Sequence, residues 1–281
     1  YTGGIAINGG VLQVATDFNL GAAGGALSFD SGTLRVTGDF TSNRDVELVG
    51  AGTVTVATGA DWVLAGDTSG AGSLTVDTGV NTVTLTGDAA HTGGTTITGT
   101  GSLIIGNGGT TGSIAGDIVN NGNLRFSRSD TSVYSGSITG TGNVFHDKSG
   151  TLSLTGNSSW SGTANISGGG TLLVASGNSV AAAGQTTISQ GATLTVSGPG
   201  SSWTAGNTTI NSGDGSSTLE VANGGSFRAG SLILRAAPGT PGTSNLNIMG
   251  AGSQVVANQL TAAGTTASVS NISISNGGTL R

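Results

Sequence analysis

The most regular feature of the chain is a five-residue unit: glycine, any residue, an apolar residue, any residue, an apolar residue. It occurs as Gly25-Ala-Leu27-Ser-Phe29, Gly32-Thr-Leu34-Arg-Val36, Gly52-Thr-Val54-Thr-Val56, Gly122-Asn-Leu124-Arg-Phe126, Gly150-Thr-Leu152-Ser-Leu154 and Gly170-Thr-Leu172-Leu-Val174. Apolar residues two apart point to one face of a β-strand while the residue between them points to the other. The glycine supplies the bend before each strand. The units are periodic. Leu34, Val54 and Leu74 are spaced by 20; Leu103, Leu124 and Val144 by 21 and 20; Leu152, Leu172 and Leu194 by 20 and 22. A near-constant step of this size matches one coil of a parallel β-helix, in which each coil lays its strands on the coil below and the inward side chains stack along the axis. The pattern therefore predicts an all-β solenoid of roughly twelve coils of 20–26 residues. At about 4.8 Å per coil it forms one continuous rod about 60 Å long.

Longer repeats overlie this one. Residues 81–105 align with 150–174, which sets His91-Thr92-Gly93 against Trp160-Ser161-Gly162 and Ile97 against Ile166. In the C-terminal third, Leu194-Thr-Val196-Ser-Gly198 matches Leu246-Asn-Ile248-Met-Gly250 at 52 residues, and Leu219-Glu-Val221 matches Ile272-Ser-Ile274 at 53. The style of repeat changes near residue 190. The organisation expected is residues 1–190 with one repeat type and 191–281 with the other, without a linker. The one shift in composition, 236–242 with Pro238 and Pro241, cannot serve a central strand and is expected to project as a loop.

Composition narrows the class. Glycine supplies 54 of 281 residues, which argues against a helical protein, since a glycine inside a helix costs about 1 kcal/mol relative to alanine. Charged residues are few: 8 Lys and Arg against 14 Asp and Glu, a net charge of −6. Such a surface carries no electrostatic footprint for nucleic acid. There is no cysteine. The chain opens and stops inside repeat motifs and shows no leader pattern, so it reads as a fragment of a longer polypeptide.

The run Gly142-Asn-Val-Phe-His-Asp-Lys-Ser-Gly-Thr-Leu-Ser-Leu-Thr-Gly-Asn-Ser-Ser-Trp-Ser-Gly-Thr-Ala-Asn-Ile166 resembles the passenger-associated β-strand repeat of bacterial autotransporters. The segment from Leu27 to Leu48 is similar to the linking coils of the same proteins. The likeness is strong over residues 1–175 and looser over 190–281. Lys148 stands where the pattern usually has glycine, and His91 where it has an aromatic. The resemblance implies a right-handed β-helix on the cell surface, anchored to the outer membrane of a Gram-negative bacterium by a C-terminal β-barrel lying outside this fragment. It implies an adhesin or stalk segment whose partner is a host surface, an extracellular-matrix molecule or a second copy of itself. Absence of cysteine agrees, because a chain crossing an oxidising periplasm must stay threadable.

Candidate chemistry is sparse. His91 and His146 have no carboxylate or second histidine at a metal-ligand spacing, so no metal site and no cofactor are expected. His91 is expected as a half-buried ring at a coil corner, His146 as an inward, hydrogen-bonded residue. No Gly-x-Ser-x-Gly occurs, and Gly106-Asn-Gly-Gly-Thr-Thr-Gly112 lacks the lysine of a phosphate loop and reads as a turn. The enzymatic alternative is a β-helical polysaccharide hydrolase, lyase or tail spike. It would need paired carboxylates, and Asp45 with Glu47 is the one close pair on a strand face, with Arg44 beside it to meet a substrate carboxylate. The other reading of that pair is a solvated edge. A purely structural spacer is the third possibility. Catalytic residues are therefore assigned to none. Parity predicts that Gln13, Ser28, Arg35, Thr55, Thr75, Ile104, Arg125, Phe145, Ser153, Leu173, Thr195, Glu220, Asn247 and Ser273 point outward. Ile104, Phe145 and Leu173 are the apolar exceptions and the candidate contact surface.

Overall fold

The computed structural model describes residues 2–213, 215–235, 242–264 and 268–281. Of the expected proline loop at 236–242, residues 236–241 lie outside these residues, as does Tyr1, and Gly242 opens the strand Gly242–Met249. The fold is all-β: a solenoid of about twelve turns whose strands pair in parallel with the equivalent strands of the next turn. Among the described residues the one helical segment is a 3-10 turn at Asp17–Leu20. The chain forms two compact units, one of residues 1–128 with 136–142, the other of residues 129–135 with 143–281.

In the first unit each full coil contributes three short strands, for example Val46–Leu48, Gly52–Val56 and Trp62–Leu64. Apolar side chains stack inward in register. Leu34 lies on Val54, Val54 on Val76 and Val76 on Ile97. In the third row Trp62 lies under Val83, Val83 under Leu103 and Leu103 under Leu124. Every member of these two files is at most 5% exposed. The expected step from Val54 to Leu74 is corrected here. Leu74 pairs with Gly52, and Val76 is the residue that lies on Val54. The error is two residues, so parity survives it and the inward face is unchanged. The 34–54 and 103–124 series also belong to different sides of the coil, which sequence spacing alone does not distinguish.

In the second unit the sheet that begins with Thr131–Tyr134 carries a leucine file: Leu152, Leu172, Leu194, Leu219 and Leu246 in successive register. From Ser179 onward the two remaining strands of each coil merge into ten-residue strands, Ser179–Ile188, Ser202–Asn211, Ser226–Arg235 and Gln254–Ala263. Coils lengthen at the same time. Thr193 pairs with Thr218, Thr218 with Asn245 and Asn245 with Asn271. The 52-residue repeat read in the sequence is thus two coils, of 25 and 27 residues, from Leu194 through Leu219 to Leu246. Where the two halves of the merged strands meet, the first three of these strands carry glycines, Gly184, Gly206 and Gly230, and the fourth carries Asn258. A Cβ on Gly206 would stand 2.4 Å from the Ala183 carbonyl oxygen, and one on Gly230 would stand 2.5 Å from that of Gly206. Backbone approaches backbone at these two glycines, and no larger residue fits there without moving it.

Candidate contact surface

Strand alternation places all fourteen outward-parity residues at half-exposed or exposed positions. Ile104, Phe145 and Leu173 are half-exposed. In the first unit Ile104 lies between Thr84 and Arg125. In the second, Phe145 pairs with Asn165, and Leu173 lies between Ser153 and Thr195 in a different sheet. The structure does not bring Phe145 and Leu173 together, and each of the three has polar neighbours in its file.

Asp45 and Glu47 are both exposed, the solvated arrangement. Arg44 is not beside them in any functional sense. Its parity is that of Ser42, Val46 and Leu48, and it points inward with its side chain 1% exposed. The guanidinium meets Asp17 as a fork, Nε to Oδ1 at 3.1 Å and Nη2 to Oδ2 at 3.2 Å. It also donates to the carbonyls of Ala22 at 2.6 Å, Gly25 at 2.9 Å, Gly21 at 2.7 Å and Asp17 at 3.3 Å. The sequence-based role for Arg44, reception of a substrate carboxylate, is thereby replaced by a structural one. It ties the 3-10 turn and the segment after it to the second coil, satisfying carbonyls that have no strand partner.

The scattered acidic residues turn out to form columns. Asp45 Oδ1 accepts the Asp67 amide at 3.0 Å, and Asp67 Oδ1 accepts the Asp88 amide at 2.8 Å. At another corner Asp39 Oδ1 accepts the Asp61 amide at 2.8 Å, and Asp61 Oδ1 accepts the Thr82 amide at 2.7 Å. Asp117 receives the Ser137 amide at 2.8 Å, and hydrogen bonding from Ser137 holds its carboxyl below the usual value of 3.8. Asparagines do the same, Asn121 for Thr141, Asn143 for Thr163 and Asn157 for Ser179. The signal was present in the sequence as carboxylates recurring at the coil period. These side chains serve corners where backbone amides leave the sheet ladder.

The histidines are core residues. His146 is buried, with Nε2 2.9 Å from the Gly150 carbonyl oxygen. His91, expected to be half-buried, is fully buried. Its Nε2 lies 2.9 Å from Thr95 Oγ1, while Nδ1 makes no hydrogen bond of good geometry. Burial pushes its pKa below 6.5, with the Gly94 backbone partly opposing the shift. Among the described residues no three His, Cys, Asp or Glu side chains are grouped to hold a metal ion. No helix among them is long and apolar enough to cross a membrane.

The chain is similar to a protein described as "Adhesin BmaC autotransporter" from Brucella suis biovar 1 (strain 1330), with 41% identity over 144 residues. The match covers 51% of this chain and 4% of that protein, so the chain spans a small part of the relative. No described protein family matches the chain. No solved structure matches it. The stacked parallel coils agree with the architecture implied by the resemblance to autotransporter passengers.

Proposed function

We propose that this chain is a passenger segment of a surface autotransporter and acts in attachment, as adhesin or as the stalk that presents one. The observation that carries this reading is the 41% identity over half the chain to an autotransporter adhesin, on a chain that folds as a β-solenoid. The partner is a molecule of a host surface or extracellular matrix, or a second copy of the chain, and the anchor is an outer-membrane β-barrel elsewhere in the polypeptide. The role is non-enzymatic. Exposed Asp45 accepts the Asp67 amide of the next coil, exposed Glu47 faces solvent, and Arg44 is occupied inside the fold. The mechanism is extended contact, in which many weak polar groups held in register on a rigid scaffold add up through avidity.

Ile104, Phe145 and Leu173 are its candidate anchors, each an apolar point among polar neighbours. The test uses beads coated with the purified chain and applied to host cells and matrix proteins. The parent chain is expected to bind, and the variant with all three changed to Thr to bind less while keeping its circular dichroism. Unchanged binding by the triple variant removes these anchors. Failure of the parent chain to bind any surface, and to self-associate, leaves only the spacer role.

A further inference from the structure

One loop of the first unit departs from the coil pattern. Asp88 pairs with Ser113, 25 residues on, whereas the preceding pairs of that row, Ile5 with Leu27, Leu27 with Val46 and Val46 with Thr68, are 19 to 22 apart. The extra residues form the loop 106–112, which is held at several points. The Gly106 amide donates to the Leu85 carbonyl at 2.8 Å, and the Gly108 amide to that of Ser127 at 2.6 Å. Arg128 clasps it from the side, with Nη1 on the Gly112 carbonyl and Nη2 on that of Thr110, both at 2.7 Å. Between this loop and the column of aspartates lies a groove of about 450 Å³ lined by Asp67, Thr86, Asp88, Thr110, Thr111 and Arg128. That volume falls within the range of about 300–1,000 Å³ typical of small-ligand sites. A loop anchored on a rigid scaffold is where binding residues concentrate.

We propose that this groove binds a neutral, polyhydroxylated ligand, a short stretch of uncharged glycan. The proposal deepens the attachment reading and rests on it for the surface that would carry the glycan. Each carboxylate uses one oxygen within the protein, Asp67 Oδ1 for the Asp88 amide and Asp88 Oδ1 for the Ser113 hydroxyl at 2.7 Å. That fixes the carboxylates one coil apart, about 4.8 Å, with their second oxygens available to accept from sugar hydroxyls. The three threonine hydroxyls can both donate and accept. Arg128 donates to loop carbonyls and keeps its charge, so the lining sets two carboxylates against one guanidinium and its net negative charge disfavours an acidic glycan. The lining has no aromatic or large aliphatic wall for an apolar ligand, and two carboxylates without a third ligand do not make a metal cage.

The experiment titrates the isotopically labelled chain with neutral oligosaccharides (cello-, manno-, galacto- and β-1,3-gluco-tetraoses) and with an acidic oligogalacturonate, following amide shifts and heats of binding. At least one neutral tetraose is expected to shift the amides of Gly87, Asp88, Thr110 and Thr111. Asp67→Asn with Asp88→Asn keeps the Oδ1 acceptors, and Thr86→Val keeps the shape. Either change should raise Kd at least tenfold with an unchanged urea midpoint. The shift map on the parent chain stands even where a variant folds poorly. Absence of shifts with every neutral tetraose, preference for the oligogalacturonate, loss of binding in EDTA, or full affinity in both variants overturns the proposal. Cell attachment that persists alongside such a result sinks the groove and leaves the attachment reading standing.

Discussion

Replacing Arg44 by Met keeps most of the buried stem and removes the guanidinium. Asp17, 26% exposed at its side chain, and the carbonyls of Gly21 and Gly25 then lose the guanidinium as donor, while the Ala22 carbonyl keeps the Gly25 amide at 3.0 Å. Breaking a buried pair from one side costs about 3–5 kcal/mol. Carbonyls left unsatisfied cost about 1–3 kcal/mol each, less where water can reach them. A loss of about 3–4 kcal/mol is expected. Solenoid coils contact mainly their neighbours, so the loss should stay local and appear as fraying of the first two coils. Native-state hydrogen exchange reads this directly. The amides of Ile5, Leu27 and Thr33, which donate to Ala26, Asp45 and Gly10, are the reporters. They should exchange at least a hundredfold faster in Arg44→Met, since 1.4 kcal/mol is a factor of ten. The amides of Thr193 and Thr218, in the other unit, should be unaffected. Arg44→Lys should fall between, because an ammonium cannot reproduce the fork. Exchange in Arg44→Met within threefold of the parent would refute the assignment of Arg44 as the tie that holds the first coil.

Leu124→Asp, Leu152→Asp or Leu172→Asp places a charge at a site now at most 3% exposed. Each should cost more than the about 2–5 kcal/mol of a leucine-to-alanine change, read as a urea midpoint shift. Gly206→Ala forces a Cβ against the Ala183 carbonyl and should lower stability by about 1–3 kcal/mol, measured by thermal melting. The His91 pKa is lower folded than unfolded, so the unfolded chain takes up the proton first as pH falls. Stability should be constant above pH 6.5, decline below it, and level off once pH passes the lowered folded value. His91→Phe should flatten that part of the urea midpoint against pH.

The fold was readable because a period-2 alternation nested in a coil-length period has few other solutions. Which side of the coil each strand serves was not readable, since a step near 20 recurs on every side alike. The fused strands after Ser179 carry no distinct sequence signal because their corner is set by backbone packing at Gly184, Gly206 and Gly230, and glycine is too common here to stand out. The charge of Arg44 points to solvent, and its strand parity overrides that. Ser42, Arg44, Val46 and Leu48 form one inward row, which the alternation alone indicates. An aromatic at a coil corner suggests a half-exposed ring for His91, while Trp160 at the aligned position is itself buried. The groove beside loop 106–112 had no sequence signal beyond a long coil. Its residues meet only when Asp67, Asp88, Thr110 and Arg128 are brought together from four successive coils.

Most of the aspartate and asparagine contacts run one way along the solenoid; Asn81 is an exception, its Oδ1 accepting the Gly59 amide of the coil before it. In the contacts made by Asp39, Asp45, Asp61, Asp67, Asp117, Asn121, Asn143 and Asn157, the acceptor belongs to the earlier part of the chain and the amide to the coil that follows. A finished coil thus offers fixed side-chain acceptors on the side where the next coil will settle, and an arriving segment needs only its own backbone to use them. Templating of this kind favours winding from the amino-terminal side in the first unit; in the second, Ser201, Ser217 and Ser253 accept amides of the preceding coil and run the other way. Pulling on the carboxy-terminal side should peel coils off one at a time, each step releasing these latches before the next is loaded, and a force trace should show a staircase of small, similar drops.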